Sequence, residues 1–294
     1  MKDTAGVGYA AAMPLRRRSL LLSSALAPLA HAGPRRLRIP QISARGDLAH
    51  SYPAQLLGLA LAAAGVPAEL VPTAELIPQN RAIQALGRPD GPIDVLWTMT
   101  SVERERQARP VRIPIFRGLY GWRLLLAPAA IAAQLRQVRQ LGELRRFSLV
   151  QGLDWPDTAI LQANGLRVVV SASYDAMFKQ LRLGRADAFP RSVEEIWWEL
   201  ARYGQGLVVV PDICLHYPAA MYYFVAAGNA ELADAIEHGL RWLQASGRLE
   251  QLFLQQLGSD LARARLGSRH VIELVNPLLP AGTPLDQPEF WYRP

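Results

Sequence analysis

The sequence predicts an α/β protein of two lobes, each a mostly parallel sheet flanked by helices, with two crossing strands at the hinge between them. Three observations lead there. Strand-like and helical runs alternate from residue 36 onward, a second alternation begins at residue 147, and two apolar extended runs, 121–127 and 219–226, separate the blocks. The chain of 294 residues is long enough for about two domains, each with a real core.

Taken in order, residues 36–40 form a short strand. Ser51, Tyr52 and Pro53 then open an apolar helix that closes at Ala64 and Gly65: a cap residue, a proline in the first turn and a glycine at the end. Residues 69–72 read as a second strand, 79–87 as a second helix and 93–98 as a third strand. The extended run 121–127 follows, then a polar helix around 131–141. In the second block, 147–151 is a strand, a helix starts near Trp155 and Pro156, and 167–171 is the next strand. Ser173 caps a helix to Leu183, 186–189 is a strand, and Ser192 with Glu195 forms a capping box that opens a helix over 193–203. Residues 207–210 end this block. After the crossing at 219–226, Asn229 caps a long helix reaching Ser246 and Gly247, and a shorter helix covers 249–257. The tail from Asn276 is proline-rich and is expected at the surface. This organisation places 33–121 and 218–294 in one lobe and 122–217 in the other.

The first 32 residues read as an export signal rather than as part of the fold. Arg16, Arg17 and Arg18 form a positive region, 19–29 is a short apolar run, and Ala30-His31-Ala32 is a small-x-small cleavage site, so the mature chain is expected to begin at Gly33 in the periplasm. The apolar run is shorter than the roughly 20 residues that span a bilayer. Arg17 and Arg18 before Ser19-Leu20-Leu21 also resemble a twin-arginine signal. Met13 is an alternative start to Met1, and no cysteine follows the cleavage site to carry a lipid.

Charge and composition narrow the function classes. The formal charge of +7 falls to +4 once Lys2, Arg16, Arg17, Arg18 and Asp3 are set aside. Lys2 and Lys179 are the only lysines, and the mature chain has no basic cluster interleaved with aromatics, so nucleic acid is not an expected partner. One cysteine, Cys214, excludes an intrachain disulfide framework and a Cys-based zinc site. His50, His216, His238 and His270 show no metal-ligand spacing, and no nucleophile elbow or phosphate loop is present; no cofactor is expected.

Residues 94–104 read DVLWTMTSVER. They resemble the signature of extracellular solute-binding proteins of the polar-amino-acid type, whose fold is the type 2 periplasmic-binding-protein fold. Three further stretches resemble that family in the right order: LGRADA at 183–188, the run 223–232 ending AGNAEL, and 239–249 in the closing helix. The resemblance covers roughly 36–257. It implies that Arg104, with Thr100 or Ser101 and the neighbouring Thr98, grips a ligand carboxylate, a role suited to arginine's planar fork. Read from the residues alone, the alternative is that Arg104 joins Glu103, Arg106 and Arg109 on a solvated helix start, and its position just after a strand favours the gripping role.

Two departures from the family bear on the ligand. The first strand–helix turn of the second lobe reads QGLDWPDT (151–158), so Asp154 and Asp157 could face a cationic group or complement the helix dipole. Where the family holds an α-amino group with an aspartate, this chain has Phe189-Pro190-Arg191-Ser192. A positive Arg191 suits a ligand with two acidic groups, or one with no amine. Tyr52, Trp97, Tyr120, Trp122 and Trp155 fall at predicted strand ends, a helix start or the crossing. There they could sandwich an apolar ligand body or simply pack.

The resemblance implies a monomeric periplasmic protein that captures a small carboxylate-bearing solute, amino-acid-like or an organic acid, for an ABC permease or a sensor in the inner membrane. The alternatives are an enzyme on the same fold, like the cyclohexadienyl dehydratase-like members, with Asp154 or Asp157 as general acid, and a module that binds a partner protein without a small ligand.

Overall fold

The computed structural model describes residues 35–41, 51–86, 88 and 91–294. The expected export segment, Gly33 and His50 lie outside the described residues.

The strands fall into two groups, referred to below as the first and second lobes. In the first, β1 (Arg35–Gln41) and β2 (Ala68–Leu76) pair in parallel around α1 (Tyr52–Ala63). α2 (Gln79–Ala85) leads to β3 (Val95–Met99), every residue of which is buried. α3 (Val102–Gln107) and β4 (Arg109–Val111) follow. β3 lies against β1, where the amide and guanidinium of Arg38 both bond the Asp94 carboxylate. Ser51 occupies the N-cap position of α1 but makes no capping bond with its side chain; Gly65, at φ +76, ends the helix as the pattern predicts.

The second lobe begins with β5 (Trp122–Pro128). Then come α4 (Ala129–Leu135), α5 (Leu141–Leu144), β6 (Ser148–Gly152), α6 (Pro156–Ala163), β7 (Arg167–Ser171), α7 (Tyr174–Arg182), β8 (Phe189–Ser192), α8 (Val193–Tyr203), β9 (Leu207–Val209) and β10 (Ile213–His216). β6 and β7 are parallel, whereas β8, β9 and β10 all run antiparallel to β5. β11 (Met221–Val225) returns to the first lobe, antiparallel to β3 and β4. The βα units thus pair in parallel as expected, and the crossing strands add antiparallel neighbours because they enter each sheet from the opposite direction.

α9 (Ala230–Ala245) packs on α1, and the Asn229 side chain accepts from the Leu232 amide as the cap reading requires. α10 (Arg248–Ala264) runs further than the predicted 249–257. It is followed by an unpredicted strand, β12 (His270–Glu273), parallel to β10. The expectation that everything after residue 218 belongs to the first lobe is corrected for this stretch alone: the longer helix delivers β12 to the second sheet's edge, and the tail then returns to the first lobe, where the Val102 amide donates to the Leu278 carbonyl, the Tyr292 amide to the Arg117 carbonyl, and Phe290 joins the core. Val275 and the Asn164 side chain exchange two hydrogen bonds. Among the described residues no helix is long and apolar enough to cross a membrane.

The two crossings touch at Gly121. A Cβ built there would lie 2.0 Å from the Tyr217 carbonyl oxygen, so only glycine permits this approach. Gly121→Ala should push the crossing strands apart at a cost of about 1–3 kcal/mol, read as a lower midpoint in thermal denaturation. An unchanged midpoint would show that the crossing is not tightly packed.

Candidate functional site

The turn between β3 and α3 places Arg104. Ser101 is the N-cap, its hydroxyl accepting from the Arg104 amide at 3.2 Å, which seats Arg104 in the first turn with its side chain directed inward. Arg104 is only 5% exposed, whereas Glu103 and Arg106 are exposed and pair with each other at 3.8 Å. Arg104 does not belong to a solvated helix face.

Its four terminal N–H groups all meet neutral acceptors. One nitrogen donates to the Thr98 hydroxyl at 2.6 Å and the Met99 carbonyl at 2.9 Å. The other donates to Gln79 Oε1 at 3.0 Å and, from the second lobe, to the Asp154 carbonyl at a long 3.4 Å. Among the described residues no carboxylate forms an ion pair with it. Burial pushes its pKa down to about 10, an effect that the more distant Asp157 and Asp154 only partly offset. The guanidinium stays protonated at neutral pH, a buried cation without a counter-ion among the described residues.

The remaining residues expected around this motif do other work. Thr100 donates to Glu105 at 2.7 Å, and Ser101 is engaged as the cap, so neither stands beside the guanidinium as a second grip; Thr98 does. Tyr52 and Trp97 pack in the first-lobe core. The Tyr52 hydroxyl donates to the Ile115 carbonyl at 2.7 Å, and Trp97 meets the edge of Tyr223. Both lie in the core cluster, with 5% of their surface exposed.

The second lobe contributes the turn from β6 into α6. Gly152 lies under the Trp155 ring, where a Cβ would come within 2.6 Å, and its carbonyl accepts from the Thr158 hydroxyl at 2.7 Å. This turn leaves the Asp154 side chain exposed and presents its carbonyl to Arg104. Asp157 neither faces a free cation nor merely complements the helix: it is buried, ion-paired with Arg123 of β5, and accepts from the Tyr217 hydroxyl. Arg123 also donates to Tyr217 at 2.9 Å and lies 3.6 Å from Glu195. Burial alone would lower the Arg123 pKa, but Asp157, Tyr217 and Glu195 outweigh it and hold it above the usual range.

Arg191 corrects the expectation of a free second cation. Its guanidinium meets Glu199 at 2.6 Å and Glu195 at 2.7 Å, and a second nitrogen spans both Glu199 oxygens at 2.8 Å. It also lies 4.7 Å from the Trp155 and Phe189 ring centroids. Against a burial effect that would lower it, Glu195 and Glu199 hold the Arg191 pKa well up. Glu199 is fully buried and also accepts from Tyr174; burial raises its pKa beyond what Arg191 pulls back.

Of the other aromatics, Tyr120 is half-buried and donates to Glu194 at 3.0 Å. Trp122 lies tilted against His216 with centroids 4.2 Å apart, and Trp155 lies near-parallel to Phe189. The residues that the sequence reading missed are Gln79, Arg123, Tyr217, Glu195 and Glu199. Arg191, Glu195 and Glu199 stand at a spacing of four, which on a helix entrance is a legible ion-pair signal; Gln79 carried none.

Among the described residues, then, the buried Arg104 of the first lobe has no carboxylate partner, whereas Arg123 and Arg191, the buried arginines of the second lobe, are ion-paired. Such a site suits an anionic group small enough to reach Arg104.

No family model matches the sequence, and no curated protein matches it significantly. Solved structures do match its fold. An ancestral arginine-binding protein bound to arginine is 18% identical at a TM-score of 0.56, the match covering 76% of this chain and 98% of that one. A periplasmic His/Glu/Gln/Arg/opine family-binding protein from Silicibacter pomeroyi, in complex with lysine, is 15% identical at 0.57, covering 76% and 98%. A histidine kinase sensor domain with similarity to periplasmic binding proteins is 19% identical at 0.55, covering 76% and 96%.

Proposed function

Because the chain has the two-lobed type 2 periplasmic-binding-protein fold, we propose that it is a solute-binding protein that captures a small carboxylate-bearing molecule between its lobes. The observation that carries this reading is the buried Arg104 with neutral acceptors only. Burying a charge without a partner costs several kcal/mol, and a ligand carboxylate supplies the missing partner in a bidentate geometry. Asp154 O, at 3.4 Å the weakest of the present acceptors, is the one a carboxylate would displace. The arginine and lysine bound by the compared proteins each carry a carboxylate.

In this reading the lobes are 33–121 with 218–264 and 276–294, and 122–217 with the β12 strand, and they close over the ligand. Residues 1–32 direct export to the periplasm, and the loaded protein delivers to an ABC permease or a sensor in the inner membrane. A ligand with two acidic groups loses its support, since Arg191 is already doubly paired. The enzyme alternative weakens as well, because Asp157 is committed to Arg123 and Tyr217.

A thermal-shift screen of amino acids and small organic acids tests the proposal. Ligand at about a hundredfold its Kd adds roughly 2.7 kcal/mol, so at least one carboxylate should raise the midpoint while its carboxamide does not. Equal response to acid and amide, or silence across the panel, would overturn the carboxylate reading; turnover of a compound would establish the enzyme.

A further inference from the structure

We infer that Gln79 is a positioning and specificity-determining residue, a neutral double acceptor that orients Arg104 and leaves its charge unpaired for an incoming anion. The inference rests on the solute-binding reading and deepens it. Gln79 is the half-buried first residue of α2, next to Pro78. Its Oε1 accepts from Arg104 at 3.0 Å and from the Thr98 hydroxyl at 3.2 Å, while Thr98 accepts from the other Arg104 nitrogen at 2.6 Å. The three side chains close a ring. A hydroxyl has one proton and two acceptor sites, so directing the Thr98 proton to Gln79 leaves its lone pairs facing Arg104. Gln79 therefore holds one guanidinium nitrogen directly and the other through Thr98.

The chemical choice at this position is what decides specificity. The same fold meets two other buried arginines with carboxylates: Arg123 with Asp157, and Arg191 with Glu199. At Arg104 the side chain in the corresponding role is an amide, which matches a carboxylate in shape, accepts through one oxygen only and carries no charge. A glutamate here would sit at ion-pair distance and act as a built-in counter-ion. Arg104 would then have no reason to take an external one.

Gln79→Glu and Gln79→Met test this in the full mature chain, with two readouts. In ligand-free buffer, Gln79→Glu should raise the thermal midpoint by about 3–6 °C, because it supplies the partner that a buried cation lacks. Gln79→Met keeps the length, loses the acceptor and should lower the midpoint slightly. In calorimetric titration with L-arginine as probe, Gln79→Met should weaken binding about tenfold and Gln79→Glu by about a hundredfold or more. A more stable protein that binds less is a result that a merely structural role does not produce. A Gln79→Glu midpoint at or below wild type, or L-arginine binding unchanged in that variant, would overturn the inference. If L-arginine does not bind the wild type, the ligand-free midpoints alone decide on Gln79, and the failure falls on the choice of solute.

Discussion

Arg191→Ala is expected to lower stability by about 3–5 kcal/mol, the usual cost of removing one partner from a buried ion pair. For a chain of this size that is a fall of roughly 10 °C in thermal midpoint. The size follows from what is left behind. Glu199 is fully buried and its carboxylate loses all three of its hydrogen bonds from Arg191, keeping only the one from Tyr174. Glu195 retains Arg123 at 3.6 Å, and the faces of Trp155 and Phe189 lose the cation packed against them. The double variant Arg191→Met with Glu199→Leu should recover much of the loss, since replacing a buried pair by apolar side chains of similar volume is often close to neutral. Chemical denaturation of wild type and the two variants checks this. A single variant within about 1 kcal/mol of wild type would mean that solvent reaches the pair.

Arg104→Ala should act very unequally on the two observables. Binding of the carboxylate compound found by screening should fall by about 2–5 kcal/mol, roughly 30-fold or more. Stability without ligand should suffer far less than in Arg191→Ala, because the groups Arg104 leaves behind, Thr98, Gln79 and two carbonyls, are neutral. Arg104→Lys should bind nearly as poorly, since an ammonium cannot reproduce the planar fork. Arg106→Ala, on the exposed side of the same turn, should bind like wild type. Calorimetric titration separates these cases, and equal affinity of Arg104→Ala and wild type would end the carboxylate-receptor reading.

The contrast between these two arginines marks how far the sequence could be read. Arg104 was legible because it follows a buried strand in a motif of recognisable composition, and Ser101 three residues earlier is a cap signal that sets its turn. Arg191 was read only as a charge near the second sheet, although its spacing of four to Glu195 carried the signal of an ion pair. Glu195 was recognised as half of a capping box with Ser192, which it is, with its carboxylate 3.3 Å from the Ser192 amide. The same carboxylate also faces Arg191 and Arg123, and a local capping pattern says nothing about a second engagement with a residue on another strand.

The sequence by itself determined the alternation of strands and helices, the return crossing at Met221–Val225, the caps at Asn229 and Ser192, and the candidacy of Arg104. These are properties of short stretches, where periodicity, turn residues and caps act over a few positions. Only the tertiary structure decided which charges are neutralised, that Gln79 lies against Arg104, that Asp157 meets Arg123, that Tyr52 and Trp97 belong to the core, and that the tail adds a strand to the second sheet. The physical reason is range. The contacts of Gln79 with Arg104, of Asp157 with Arg123 and of β12 with β10 join groups 25 to 57 positions apart; their strength depends on distance and burial in three dimensions, and no local pattern in the chain encodes either.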